Sequence, residues 1–420
     1  MNELKIMNYN EVKRGSLGST FTYILLIASL MGTQIIALNF GSFRLSPYRA
    51  LLFFSPYILL YTNKRVLSNL RAGSAFSYYK FLIIWILYSV ISLVWLSDFY
   101  GWSRIFVFLL SSTITTWLLG LHCNSTNHFI KLLKIVEALS VLFAIFSLYE
   151  IMSGNYLFVN EENAFHYGEF SSYYSSFGIR VPISIFGNPN HYAVFLQFAL
   201  VFSFILSKIK HSRKGRSFSV FSYCLSLLLL LATQSRAGFV CFVIIFSVSF
   251  FLLSKRVSFW KFIWSFIILI AIFVPVIIFN FESIAPLLVF GVEQSSSDLI
   301  RVNLLKNGIE FLGDSNLFGV GLGNIEYHIQ HHGRYYTSNI TNIHNWWFEI
   351  LVSSGVIIFM LYLFNYVKSI RSLYKLSIRS TNKMDKYVSA CFCGLLVGLV
   401  VGVIGPSSLL ISEWFLPLFS

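Results

Sequence analysis

The sequence predicts an all-α polytopic membrane protein. Of its 420 residues, 56% are hydrophobic and only 11% are charged, whereas soluble domains carry about 25% charged residues. The mean hydropathy is +0.71, and apolar runs long enough to cross about 30 Å of hydrocarbon recur along the chain. Backbone amides must be paired within lipid, so runs of this length are expected to be helices. We therefore expect one integral membrane domain over residues 1–420.

The apolar runs predict about 11–12 transmembrane helices. They cover residues 20–40, 47–61, 81–97, 105–123, 129–152, 190–207, 218–234, 237–254, 259–279, 346–367 and 387–405. The tail, residues 406–420, is apolar but short, and it is expected to be a twelfth span or a half-helix. The polar opening of the chain argues against a cleaved signal peptide.

The Lys and Arg residues predict the orientation. With the N-terminus in the cytoplasm and alternating spans, most of the 31 basic residues fall in cytoplasmic loops. The opposite side keeps Arg44, Arg49, Arg104, Arg180, Arg236, Arg301, Lys306 and Arg334. The net charge of +14 thus reflects topology, and no nucleic-acid partner is expected. The five cysteines lie in or beside apolar runs and are expected to be packing thiols.

Two long loops, residues 153–189 and 280–343, are expected on the non-cytoplasmic side. The first leads into Gly-Asn-Pro-Asn-His-Tyr, where Asn188 is a candidate helix cap. The second contains an amphipathic stretch around Arg301, with Leu304, Leu305, Ile309 and Leu312 expected to lie against the bundle or the membrane surface. A glycine-rich stretch, Gly-Val-Gly-Leu-Gly-Asn, is interpreted as a turn. The loop ends at His-Asn-Trp-Trp-Phe-Glu, whose tryptophans are expected at the membrane interface.

Three residues on the expected outer face are candidates for chemistry: Arg236, Arg301 and His344. A charged arginine at the mouth of two spans is usually paired or functional, although Arg236 could also snorkel to lipid phosphates. Arg301 could equally lie on a solvated helix face, and His344 could simply bond a neighbouring carbonyl. Three further histidines, His328, His331 and His332, lack carboxylate or cysteine ligands at metal spacing, so no metal is expected.

The ordered set of motifs resembles the O-antigen ligase and polymerase superfamily. It consists of GNPNHY, then SRAG, then R-x-N-x-x-K-x-G with a glycine-rich turn, then HNWWFE followed by Ser354-Gly355. The resemblance covers roughly residues 186–405. It implies a GT-C-like bundle with a long, partly helical outer loop, in a multi-pass protein of the bacterial cytoplasmic (inner) membrane.

The resemblance also implies an activity, namely inverting transfer of a glycan from an undecaprenyl diphosphate carrier to a sugar hydroxyl. Neither a metal nor another cofactor is expected. Family positions match Arg236, Arg301 and His344, which we predict to be catalytic. Asn345, Asn188 and Asn190 are predicted to cap helices or to contact sugar, and capping is favoured.

Polymerisation of O-antigen or capsular repeat units is the preferred function. Ligation of the glycan to lipid A–core is the alternative, and a flippase for lipid-linked glycans is a rival of another class. The partners implied are the lipid-linked oligosaccharide, an acceptor glycan or lipid A–core, membrane lipids and a chain-length regulator.

Overall fold

The structure is a computed structural model that describes most of the chain. The described residues are 15–32, 35, 37–40, 43–60, 76–123, 125–158, 178–209, 212–254, 296–406, 408–409 and 412–419. The predicted span 259–279, residues 159–177 of the first predicted long loop and residues 280–295 of the second lie outside them.

The described residues are mostly helical, and two short antiparallel strands, β1 (Leu38–Phe40) and β2 (Phe43–Leu45), form a hairpin. The helices before the first long loop are α1 (Gly15–Met31), α2 (Pro47–Leu52), α3 (Ser55–Leu60), α4 (Phe76–Ile91), α5 (Phe99–His122) and α6 (Thr126–Ser153). Those after it are α7 (Pro189–Ile209), α8 (Arg213–Ala232), α9 (Arg236–Leu253), α10 (Ser296–Asp314), α11 (Ile325–His332), α12 (Trp346–Arg379), α13 (Lys383–Gly402) and α14 (Phe415–Phe419).

Within the described ranges, seven helical segments are long and apolar enough to cross a membrane. They are α4 with its 3₁₀ extension to Trp95, α5, α7, α8, α9, α12 and α13. The predicted polytopic, all-α class is thereby confirmed.

Two predicted spans at the start of the chain have a different structure. The first helix ends at Met31, and Leu38–Phe40 at the end of the predicted run 20–40 form the first strand of the hairpin. The run 47–61 forms two short helices because Pro56 has no amide hydrogen to donate to the Leu52 carbonyl. The hydroxyl of Ser55 donates to that carbonyl instead, at 2.6 Å. Apolar composition alone does not reveal such breaks.

Helix α7 forms the centre of the bundle and packs against α6, α8, α9 and α13. It is buried on almost every side, as expected for a helix that is apolar all round. Its polar side chains are paired inside the bundle: Gln197 Nε2 donates to the Gly238 carbonyl at 2.8 Å, and the hydroxyls of Ser203 and Ser222 lie 3.0 Å apart. These bonds fix the positions of α8 and α9 around α7.

Helix α12 is interrupted at Gly355, which has φ 74° and ψ 174°. The predicted glycine-rich turn docks into this break. The amide of Val320 donates to the Val352 carbonyl at 2.9 Å, and the amide of Val356 donates to the Leu317 carbonyl at 3.0 Å. Carbonyls that the break leaves without an intrahelical partner are thus bonded by the turn.

Helices α10 and α11 pack beside this joint on an apolar cluster. Its buried members are Leu304, Phe311, Val320, Ile325, Ile329, Ile343 and Val352. Of the residues predicted to lie against the bundle or the membrane surface, Leu304 is buried in this cluster and Ile309 is 58% exposed. Since Ile343 and Val352 belong to the same cluster, α10 is held against the segment that carries His344.

Candidate active site

The predicted site lies where α7, α9 and α12 begin and α13 ends, which we call the site end of the bundle. At the start of α7, Asn188 Oδ1 accepts a hydrogen bond from the Asn190 amide at 2.8 Å, so Asn188 caps this helix as predicted. Asn190 Oδ1 accepts from the Ser235 hydroxyl at 2.8 Å. The GNPN motif is thereby joined to the SRAG motif.

The SRAG motif forms the N-terminus of α9. Ser235 is the N-cap, and its hydroxyl accepts from the Gly238 amide at 3.2 Å. A Cβ on Gly238 would lie 2.8 Å from the Ala193 Cβ, so the glycine permits the close approach of α9 to α7. Arg236 is the first helical residue and its side chain is exposed, next to the Ser235–Asn190 bond.

His344 precedes α12 in an unusual backbone conformation, with φ 54°. This left-handed region is uncommon for residues other than glycine. The next residue, Asn345, is the N-cap of α12, and its Oδ1 accepts from the amides of Trp347 at 3.0 Å and Phe348 at 3.3 Å. The predicted capping role of Asn345 is confirmed, and the turn holds His344 outside the helix.

Gly405 brings the histidine to the other two motifs. Its carbonyl accepts a hydrogen bond from the His344 ring. A Cβ built on Gly405 would lie 3.2 Å from Asn190 Oδ1 and 3.6 Å from the Ala237 Cβ. The histidine, the GNPN motif and the SRAG motif therefore surround one residue that the sequence did not single out.

Arg301 completes the set from α10, where its guanidinium lies close enough to His344 to interact with the ring electrostatically. Burial and the Arg301 guanidinium together lower the pKa of His344 from its ordinary 6.5 to about 4, against the opposing hydrogen bond to the Gly405 carbonyl. The Arg301 side chain itself is exposed. A neutral imidazole thus lies beside an accessible guanidinium.

A second histidine, His191, belongs to the site although sequence reasoning gave it no role. It is 5% exposed, interacts electrostatically with His344, and its Nδ1 lies 3.2 Å from the Ser412 hydroxyl. Its position in the GNPNHY motif, directly after Asn190, is the sequence feature that could have indicated a role in the site. The tail after α13 is thus part of the site.

One of the two tryptophans expected at the interface, Trp346, is instead in the core. Trp346 is 1% exposed, and its indole nitrogen donates to the Tyr362 hydroxyl at 3.0 Å. Its ring packs against Trp85 and Phe415. Trp346 therefore anchors the start of α12 by internal packing.

The additional histidines lie apart, on α11. His331 stacks on Tyr327 with ring centroids 4.2 Å apart, and His328 lies beside Phe311. Across the described ranges, no group of three His, Cys, Asp or Glu side chains is placed to hold a metal ion. The aromatic contacts explain the positions of these histidine rings.

The fold and the site define a class: a multi-pass membrane protein with two arginines and a histidine supplied by three segments at one end of the bundle. A family model described as O-antigen ligase matches residues 221–363, which include Arg236, Arg301 and His344. The predicted resemblance to the O-antigen ligase and polymerase superfamily is confirmed. The family points to glycan transfer in surface polysaccharide assembly.

A named relative is similar over most of the chain. The teichuronic acid biosynthesis protein TuaE of Bacillus subtilis (strain 168) is 26% identical over an alignment of 399 residues that covers 92% of this chain and 79% of the relative. The similarity therefore extends well beyond the family match, into the N-terminal helices.

Proposed function

We propose that this protein transfers a glycan from an undecaprenyl diphosphate carrier to a sugar hydroxyl, at a site on the non-cytoplasmic face of the bacterial cytoplasmic membrane. The observation that carries the proposal is the placement of the His344 ring, which is bonded to the Gly405 carbonyl and lies within electrostatic reach of Arg301. Arg236 lies on the neighbouring helix start, which Gly405 also contacts through Ala237. A base and two cations are the groups that this reaction requires.

His344 is the proposed general base. One ring nitrogen donates its hydrogen to the Gly405 carbonyl, so in the neutral ring the other nitrogen carries a free lone pair. That nitrogen takes the proton of the acceptor hydroxyl as its oxygen bonds to the anomeric carbon. The bond from this carbon to the diphosphate oxygen breaks, the electron pair leaves with the diphosphate, and attack from the opposite side inverts the anomeric centre.

Arg301 and Arg236 are proposed to bind the diphosphate. Charge grows on the leaving oxygen in the transition state, and preorganised cations that face it lower the barrier. Guanidinium groups bond phosphate oxygens in pairs and stay charged beside lipid. A metal is not required for this step because the arginines supply the positive charge.

Binding of the donor is expected to raise the pKa of His344. The diphosphate offsets the positive charge of Arg301, which is one of the two causes that hold the pKa of His344 low. The pKa of His344 then rises toward the working pH, where a general base is most effective.

Polymerisation of repeat units is the preferred form of the reaction. The relative over 92% of the chain is named for teichuronic acid biosynthesis, which favours assembly of a polymer over ligation to lipid A–core. The acceptor would then be a second lipid-linked glycan, and a chain-length regulator would be a further partner.

Electrophoresis of the surface glycan from a deletion strain separates the possibilities. Single repeat units on the cell surface are expected if the protein is a polymerase. Accumulation of long carrier-linked polymer would instead identify a ligase, and accumulation of repeat units inside the cell would identify a flippase.

A further inference from the structure

The tail that follows α13 is tied to the rest of the protein at four polar points. The Gly405 carbonyl accepts from His344, the Ser408 hydroxyl donates to Glu349 Oε1, and the Ser412 hydroxyl lies 3.2 Å from His191 Nδ1. The fourth is an ion pair, in which Arg49 Nε lies 3.0 Å from Glu413 Oε1. We call the residues Gly405, Ser408, Ser412 and Glu413 the strap.

The ion pair is the buried end of the strap. The side chains of Arg49 and Glu413 are 11% and 2% exposed. The Arg49 guanidinium also lies 4.6 Å from the centre of the Phe108 ring, and the Glu413 carbonyl accepts from the Ser112 hydroxyl at 3.4 Å. Two charges removed from water hold each other far more firmly than an exposed pair does.

Aromatic packing of the two residues that follow Glu413 restrains the strap next to this ion pair. Trp414 lies edge-on to Phe186, Phe195 and Phe198, with ring centroids 5.6 to 6.1 Å apart. Phe415 packs edge-on against Trp346 at 5.3 Å. A displacement of Glu413 is therefore expected to shift Ser412 next to it, and also Phe415 and the Trp346 ring that Phe415 contacts, two residues after His344.

We infer that Arg49 and Glu413 are positioning residues, which hold the strap so that Gly405 and Ser412 fix the rings of His344 and His191. Both residues act on His344 through the strap. The inference rests on the proposed function, because the position of His344 matters for rate only if that ring is the base. It assigns a role to α2, which lies outside the segment matched by the family model.

The test uses the full-length protein in lipid nanodiscs, with a polyprenyl diphosphate-linked glycan as donor and a second glycan as acceptor. Glu413→Gln and Arg49→Gln are each expected to lower kcat by about 10- to 100-fold, since a base displaced by about 1 Å loses rate on this scale. KM is expected to stay within about twofold, because substrate contacts are unchanged. The double variant should lose no more than either single variant if the two residues act as one unit.

The matched control is the ion pair between Arg104 and Glu326 at the same end of the bundle. It has the same length, 3.0 Å, but its side chains are 42% and 40% exposed. Arg104→Gln and Glu326→Gln are expected to keep the kcat of the original protein. Ser412→Ala removes one hydroxyl without disturbing either charge, and it is expected to lower kcat less than Glu413→Gln does.

Modification of His344 by diethyl pyrocarbonate, followed by mass spectrometry, reports the same geometry without an activity assay. The ring should react faster in Glu413→Gln and at the original rate in Glu326→Gln. An unchanged kcat together with an unchanged modification rate in Glu413→Gln and Ser412→Ala overturns the inference. If the unmodified protein transfers no glycan, the proposed function fails instead, and the modification rates still decide whether the strap holds His344.

Discussion

The hydroxyl of Ser235 donates to Asn190 Oδ1 at 2.8 Å, and this bond joins the starts of α7 and α9. Ser235 is also the N-cap of α9. One hydroxyl therefore caps the start of a helix and connects two motifs that lie 45 positions apart in the chain. Arg236 follows directly. The position of one proposed catalytic cation is therefore set by an asparagine on another helix.

Removing either partner of this bond should lower stability and should lower transfer by displacing Arg236. Asn190→Ala is expected to lower the free energy of unfolding by about 1 kcal/mol, and Ser235→Ala is expected to lower it more, because it also removes the cap of α9. The double variant should lose little more than Ser235→Ala alone, because the shared bond is already absent there. Losses that add would show that the two side chains act separately, and thermal unfolding in detergent measures them.

Replacement of His344 should abolish transfer while the fold persists. Asparagine is the suitable substitute, because it tolerates the left-handed backbone at φ 54°, whereas alanine would add strain. We expect His344→Asn to lower kcat by about 10²- to 10⁴-fold through loss of the base. Immunoblots of membranes provide the control for protein amount. Full activity of this variant would remove His344 from catalysis.

The two arginines should resist replacement by lysine. Arg301→Lys and Arg236→Lys are each expected to lower kcat by about 10²-fold, since an ammonium cannot bond two phosphate oxygens in a fixed plane. Lys306→Gln is the matched control: this cation lies on the same helix, with its ammonium 5.3 Å from the centre of the Tyr335 ring. Initial rates with the lipid-linked donor decide the result, and equal losses in all three variants would point to a nonspecific charge effect.

The pH dependence of transfer should show the lowered pKa of His344. A base must be neutral to accept a proton, so kcat/KM is lost only as the pH falls through the pKa in the free protein. Burial and Arg301 hold this pKa at about 4, against the opposing bond to the Gly405 carbonyl, and His191 is the other titratable group beside the ring. Activity should therefore persist at about pH 5 to 6, where an ordinary histidine is largely protonated.

Arg301→Gln provides the check on this profile. Loss of the positive charge removes one cause of the lowered pKa, so the acidic limb of the residual activity should move to higher pH. If kcat/KM of the unmodified protein is lost with a midpoint near pH 6.5, the burial of His344 is contradicted.

The break in α12 should require glycine. A Cβ on Gly355 would lie 2.4 Å from the Phe318 carbonyl oxygen, and the residue has φ 74°. Gly355→Ala is expected to lower the free energy of unfolding by at least about 1–3 kcal/mol. Gly313→Ala on α10 is the control: no atom lies within 4 Å of its added Cβ, and a gain of up to about 1 kcal/mol is expected there. Equal effects at both positions would contradict the described joint.

The sequence by itself determined the class of this protein. Hydrophobic runs must be helices in lipid, since unpaired amides are too costly there, and the motifs marked Arg236, Arg301 and His344. The capping roles of Asn188 and Asn345 were also readable, because a cap bonds amides two or three residues away.

Only the tertiary structure decided which segments meet around the histidine. Gly405 and the pair of Arg49 and Glu413 lie outside the motifs, and the pair spans 364 positions. His191 lies in GNPNHY, but the motif does not reveal that this ring faces His344. Contacts of this range depend on helix packing, which periodicity does not specify. The interior position of Trp346 and the break at Gly355 escaped prediction for the same reason: both depend on what packs against α12.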